Sequence, residues 1–135
     1  MTFSENLPVF VYGTLRPGQK NYSRYLRGRT LRERPAAVCG RLFFMDDGGY
    51  PYLTAGREGV VGELMEISPE HYDAVLRGLD ELEEYDHLDE EHSVYLRRKT
   101  EVILEDGERV TAWTYYWNGP RTGRRIGSGD FTRRE

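Results

Sequence analysis

The stretch Ser68-Pro69-Glu70-His71-Tyr72-Asp73-Ala74-Val75-Leu76-Arg77-Gly78-Leu79-Asp80-Glu81-Leu82-Glu83-Glu84-Tyr85 is the best helical pattern in a chain otherwise dominated by strands. Ser68 and Pro69 supply an N-cap and a first helical residue, and Glu70 puts an acid in the first turn, where the helix dipole favours it. At roughly 100° per residue, Tyr72, Val75, Leu76, Leu79 and Leu82 fall on one side. Glu83 falls in the middle of that same side, whereas Glu81 and Glu84 project to the polar flank. Burying a lone carboxylate is costly, so an acid aimed at the interior is a candidate for acid–base chemistry. The alternative is a helix that ends near Leu82 and leaves Glu83 in a loop with no meaningful face.

On either side of this helix the pattern is one of strands. Pro8 to Val11 is a short β-favouring run that stops at Gly13, and Asn21 to Arg27 fits a short helix. Ala36 to Met45 and Gly59 to Ile67 read as strands, with Asp46, Asp47, Gly48 and Gly49 as a turn and bends or bulges at Gly56, Gly59 and Gly62. Val94 to Leu104 and Arg109 to Trp117 flank Asp106-Gly107, the signal of a tight hairpin. A Gly- and Arg-rich tail follows Pro120. Strands outnumber helices without βαβα alternation, which predicts an α+β domain around a mixed or antiparallel, partly closed sheet.

The 135 residues suit one domain spanning 1–135. A hydrophobic content of 38% and an aromatic content of 13% exclude a disordered chain, and no apolar run approaches the roughly 18 residues that span a bilayer. Met1 to Leu7 has neither a basic start nor an apolar core, so no secretory signal is expected. Cys39 is the only cysteine; it fits a reducing cytoplasm and reads as a small core residue. The net charge is −4, yet Asp80 to Glu91 holds eight acids and no Lys or Arg, so the rest of the chain carries +4. These acids, with His87 and His92, lack the spacing of a recognisable metal site and read as a solvated loop. Their charge and partial burial would both raise the pKa of Glu83.

Tyr12-Gly13-Thr14-Leu15-Arg16-Pro17-Gly18 follows the first strand directly. A glycine there lets backbone N–H groups turn toward an anion or a carbonyl oxygen. The segment has neither a Walker ending nor GxGxxG spacing, and on its own it is also readable as a plain turn.

Taken together, these segments resemble the gamma-glutamylcyclotransferase-like family. Val9-Phe10-Val11-Tyr12-Gly13-Thr14-Leu15 looks like its N-terminal strand and substrate loop, and Leu79-Asp80-Glu81-Leu82-Glu83 like the helix motif that ends in its catalytic glutamate. Val94-Tyr95-Leu96-Arg97 is similar to the strand that follows, and Ile126-Gly127-Ser128-Gly129-Asp130-Phe131 to the C-terminal segment. The resemblance implies a mixed, partly closed β-barrel with one main helix and a short second one. It implies Glu83 as general acid/base, with Tyr12, Gly13, Thr14 and Leu15 cradling a gamma-glutamyl group and Tyr115 contacting substrate. The implied reaction cyclises a gamma-glutamyl amide or peptide to 5-oxoproline, releases an amine or amino acid, and needs no metal or organic cofactor. Two positions depart from the family pattern: Glu84, where many relatives have glycine, and Phe131, where tryptophan is common.

A two-residue turn at Asp106-Gly107 would pair Tyr115 with Arg98 and send Tyr95 to the other face, making Tyr95 structural. Trp113 and Trp117 share the Tyr115 face as core or pocket wall. Arg97 and Arg98 read as solvent-facing charges, either of which could pair with the acidic segment. The competing functions are a metabolite-binding or interaction module on the same fold and a nucleic-acid contact through Arg121, Arg124, Arg125, Arg133 and Arg134. The acidic net charge and the shortness of that cluster favour a solvated terminus over the latter. The expected partner is a small gamma-glutamyl substrate, with neither nucleic acid nor membrane, in a cytoplasmic monomer or homodimer.

Overall fold

The computed structural model describes residues 6–45, 49–120 and 122–133. The turn expected at Asp46 to Gly49 lies outside them except for Gly49, as do Arg121 and Arg134. The elements are β1 (Val9–Val11), α1 (Tyr22–Tyr25), β2 (Thr30–Met45), β3 (Tyr50–Ile67), α2 (Tyr72–Leu82), β4 (Tyr95–Leu104), β5 (Arg109–Trp117) and β6 (Arg124–Arg125). The strands run in the order β3-β1-β5-β4-β2, and β2 pairs again with β3, closing a five-stranded barrel. Only the β1–β5 pair is parallel among these pairings. The sheet is therefore mixed, with β6 added along β2.

Alternation on β1 divides the core in two. Phe10 points into the barrel with residues from the other four strands, among them Val38, Leu64, Val102 and Ala112. Val9 and Val11 point outward beneath α2, where Tyr72, Val75, Leu76 and Leu79 cover them together with Met65 and Ile67. Each of these large side chains contributes roughly 1.5–3 kcal/mol by leaving water, so one face of α2 fixes the helix to the barrel. The helix begins one turn later than its sequence suggests, because Pro69–His71 form a 3-10 turn. Ser68 makes no side-chain capping bond there; its carbonyl accepts the His71 N–H at 3.0 Å.

Several elements differ from the sequence expectations. β2 and β3 are longer, and pair from Thr30↔Ile67 to Met45↔Tyr50 with slips between Thr30 and Arg32 and between Gly40 and Arg41. Cys39 is exposed, because alternation on β2 buries Ala36, Val38 and Leu42 and turns residue 39 outward. The described residues 122–133 are not a free tail: Arg124 and Arg125 pair with Phe44 and Phe43, and Ile126 and Phe131 are buried in the barrel core.

The hairpin register is also different. Leu104 donates its N–H to Glu108 O at 2.8 Å and accepts from Gly107 N–H at 2.9 Å, so the loop has three residues, Glu105-Asp106-Gly107. Gly107 takes φ 90°, a left-handed conformation that closes three-residue hairpins and that glycine adopts without strain. Tyr115 consequently faces Arg97, not Arg98, and Tyr95 faces Trp117. Both tyrosines lie on the same face. Among the described residues, no helix is long and apolar enough to cross a membrane.

Candidate active site

A cavity of about 270 Å³ opens between the end of α2, the loop after β1, the start of β3 and the β4–β5 hairpin. Tyr12, Gly13, Thr14, Leu15, Glu83 and Tyr115 all line it. Tyr95, read from sequence as structural, lines it too.

Glu83 sits immediately after α2 with φ −86° and ψ 2°, so the helix does end at Leu82. Its N–H nevertheless donates to Leu79 O at 2.9 Å, which continues the turn and keeps the side chain over the apolar face. Burial raises the carboxyl from 4.5 to about 7. The acidic neighbours were expected to add to this rise, but burial is the whole cause. Several of them are engaged elsewhere: Asp80 with Arg97 at 3.0 Å, Glu90 with Arg98 at 2.9 Å and Asp89 with His92 at 2.9 Å. Both Arg97 and Arg98 thus pair with the acidic segment.

Three phenols surround this acid, each with its proton committed. Tyr12 donates to the backbone carbonyl of Tyr115 at 2.8 Å, Tyr115 to Asp80 Oδ1 at 2.6 Å, and Tyr95 to the carbonyl of Pro51 at 3.0 Å. Burial first, then nearby charges that include Glu83 in every case, pushes all three pKa values well above the usual phenol range. The tyrosines therefore stay neutral, and their oxygens can still accept a hydrogen bond from a bound cation or N–H. Behind them, Arg97 lies 4.6 Å over the Trp113 ring, and Trp117 stacks on Tyr52 at 4.8 Å.

On the opposite wall, the chain leaves β1 through Gly13. A Cβ at that position would lie 2.4 Å from Pro51 Cγ, so only glycine lets the loop pass this close to the start of β3. Asn21 holds the far side of the loop, donating its side-chain amide to Thr14 Oγ1 and its N–H to Thr14 O, each at 2.9 Å. Among the described residues, the N–H groups of Gly13, Thr14 and Leu15 have no protein acceptor, which leaves them free for an anion or a polarised carbonyl.

Arg16 braces this loop, a role the sequence reading missed. Its guanidinium binds Glu63 through Nε at 2.8 Å and Nη2 at 3.0 Å, and Asp130 through Nη1 at 2.9 Å. Its position inside the loop motif was the only local hint, since its partners lie 47 and 114 residues away.

The arrangement combines a carboxyl that titrates near neutrality, unpaired backbone donors across a small cavity, and neutral hydrogen-bond acceptors on its wall. That set can move a proton and hold an anion together.

Residues 9–133 match the family described as gamma-glutamyl cyclotransferase, AIG2-like. The gamma-L-glutamyl-butirosin B gamma-glutamyl cyclotransferase of Niallia circulans is 39% identical over 111 residues, covering 82% of this chain and 66% of that protein. An uncharacterised protein from Pyrococcus horikoshii superposes with a TM-score of 0.60 at 28% identity over 93% of this chain and 89% of the other. An AIG2-like protein from Mus musculus superposes at 0.64 with 24% identity over 85% and 80%, a likeness of fold. The chain belongs to the gamma-glutamyl cyclotransferase, AIG2-like family.

Proposed function

We infer that this protein is a gamma-glutamyl cyclotransferase that converts a gamma-glutamyl amide to 5-oxoproline and releases the amine. The observation that carries the reading is Glu83, which lines the cavity and whose half-buried carboxyl is pushed by desolvation up to about 7, where a general acid/base works best. The family match and the relative from Niallia circulans support the same chemistry.

In this mechanism the substrate supplies both reacting groups. The Glu83 carboxylate takes a proton from the α-ammonium, and the freed amine attacks the gamma-carbonyl carbon. A C–N bond forms, closing the five-membered ring. As the tetrahedral intermediate collapses, the original amide C–N bond breaks and Glu83 returns its proton to the departing nitrogen. The nucleophilic nitrogen loses its second proton to solvent, and the released amine takes one up. Holding the substrate folded supplies much of the acceleration, because the attack is intramolecular. The N–H groups of Gly13 to Leu15 hold the α-carboxylate or the developing oxyanion, and Tyr12, Tyr95 and Tyr115 form the wall that receives the α-ammonium.

The test is 5-oxoproline release from a panel of gamma-glutamyl peptides and gamma-glutamyl amines, by the natural protein and by Glu83→Gln. Turnover that depends on Glu83 is expected. No turnover across the panel, with a small ligand bound tightly, would point instead to a binding module.

A further inference from the structure

Two acids near Glu83 are neutralised by arginines within the fold, Asp80 by Arg97 and Glu90 by Arg98, and Asp89 is engaged by the His92 ring. Glu84 differs from them. It lines the cavity beside Glu83, and among the described residues its carboxylate has neither a hydrogen bond nor an ion pair. Its backbone is pinned on both sides, the N–H donating to Glu81 O at 3.2 Å and the carbonyl accepting Val94 N–H at 3.0 Å. Between them the residue holds φ 52°, the one positive φ among the described non-glycine residues. The sequence therefore places an exposed acid, in a residue that lines the cavity, where the backbone favours glycine.

The other wall carries the opposite sign. Lys20 lines it next to Asn21, the residue that holds Thr14. The cavity is thus polarised, cationic beside the Gly13–Leu15 loop and anionic beside Glu83. A gamma-glutamyl head with its α-carboxylate toward the loop N–H groups and Lys20 presents its amide nitrogen to Glu83. The substituent on that nitrogen then leaves past Glu84.

We propose that Glu84 is a specificity-determining residue that favours leaving amines bearing a second ammonium group, as in gamma-glutamyl amides of diamines and polyamines. The proposal rests on the cyclotransferase reading of the cavity. An exposed ion pair of this kind changes affinity by up to about fivefold, and added salt weakens it.

The test compares two nearly isosteric amides, gamma-glutamyl-1,5-diaminopentane, which carries a distal ammonium, and gamma-glutamyl-hexylamine, which ends in a methyl group. The natural protein is expected to prefer the diamine amide by about three- to fivefold in kcat/KM, mainly through KM, with the preference shrinking as salt is raised. In Glu84→Gln and in Glu84→Gly, whose backbone relaxes into φ 52° without strain, the ratio should fall to near one; in Glu84→Lys it should invert. A ratio near one in the natural protein, or an unchanged ratio in these variants, overturns the proposal. The same ratio is read from Kd values in the Glu83→Gln background, where no turnover is needed. Loss of turnover on both amides with the Kd preference intact would sink the cyclotransferase reaction but not the role of Glu84, whereas failure of either amide to bind would overturn that role.

Discussion

The hydroxyl of Tyr115 donates to Asp80 Oδ1 at 2.6 Å, fastening the middle of β5 to the last turn of α2 three residues before Glu83. The same Tyr115 accepts the Tyr12 hydroxyl on its backbone carbonyl, so one residue ties together the helix end, the hairpin and the loop after β1. Tyr115→Phe removes a hydrogen bond to a charged acceptor and should cost about 1.5–3 kcal/mol, read as a lower denaturant midpoint. Because the cavity walls are set by this bond, kcat should fall as well, by about tenfold, while Tyr115→Trp would fail to restore it.

Glu83→Gln keeps the shape of the side chain and removes its proton chemistry. Turnover should drop at least about 100-fold while the circular dichroism spectrum stays unchanged. In the natural protein kcat/KM should rise with pH through an apparent pKa near 7, since the base must be ionised and its carboxyl titrates at about 7. A profile already flat down to pH 5 would contradict this assignment.

The same group makes stability depend on pH in a definite direction. Its folded pKa of about 7 lies above the ordinary 4.5, so the folded state binds the proton more tightly than the unfolded chain. Its contribution is fully present below about pH 4.5 and is lost as pH rises to about 7. Glu83→Gln should therefore stabilise the protein at pH 8 by about 1–3 kcal/mol, with little change at pH 4. Paired chemical denaturation curves at the two pH values check the sign.

Glu84→Gly should stabilise the fold by about 0.5–1 kcal/mol, because glycine adopts φ 52° freely whereas glutamate does not. Differential scanning calorimetry would register a higher Tm. An unchanged or lower Tm would mean that the carboxylate contributes more to the fold than its lack of partners allows.

Gly13→Ala should act in the opposite sense. The added methyl would start 2.4 Å from Pro51 Cγ, and relieving that overlap should cost about 1–3 kcal/mol. Moving the loop also shifts its free N–H groups, so KM for a gamma-glutamyl amide should rise; an unaltered KM would separate these donors from substrate binding.

What could be read in the sequence was whatever repeats locally. The apolar face of α2 follows from periodicity; Glu83 after it and the loop after β1 stayed open on local pattern alone and were joined by the family resemblance, and both line one cavity. Tyr95 was misassigned because Asp106-Gly107 is compatible with both a two-residue turn and a three-residue loop, and one residue of register exchanges the faces. The first six residues of β2 were missed because Arg32, Glu33 and Arg34 interrupt the apolar pattern; the strand extends because it pairs with β3, with Arg32 and Arg34 both on Glu66. The Arg16 brace shows no local signal beyond its place in the loop motif, as its partners meet only after the barrel closes.

That brace also sets a schedule for the newborn chain. Residue 16 leaves the ribosome early, but Asp130, one of its two anchors, is 114 residues behind, and β1 has its parallel neighbour only in β5. Non-local pairings of this kind are slow to form. The cavity is consequently among the last features to mature during synthesis, and a chain stalled before residue 130 would carry Glu83 without a fully braced loop opposite it.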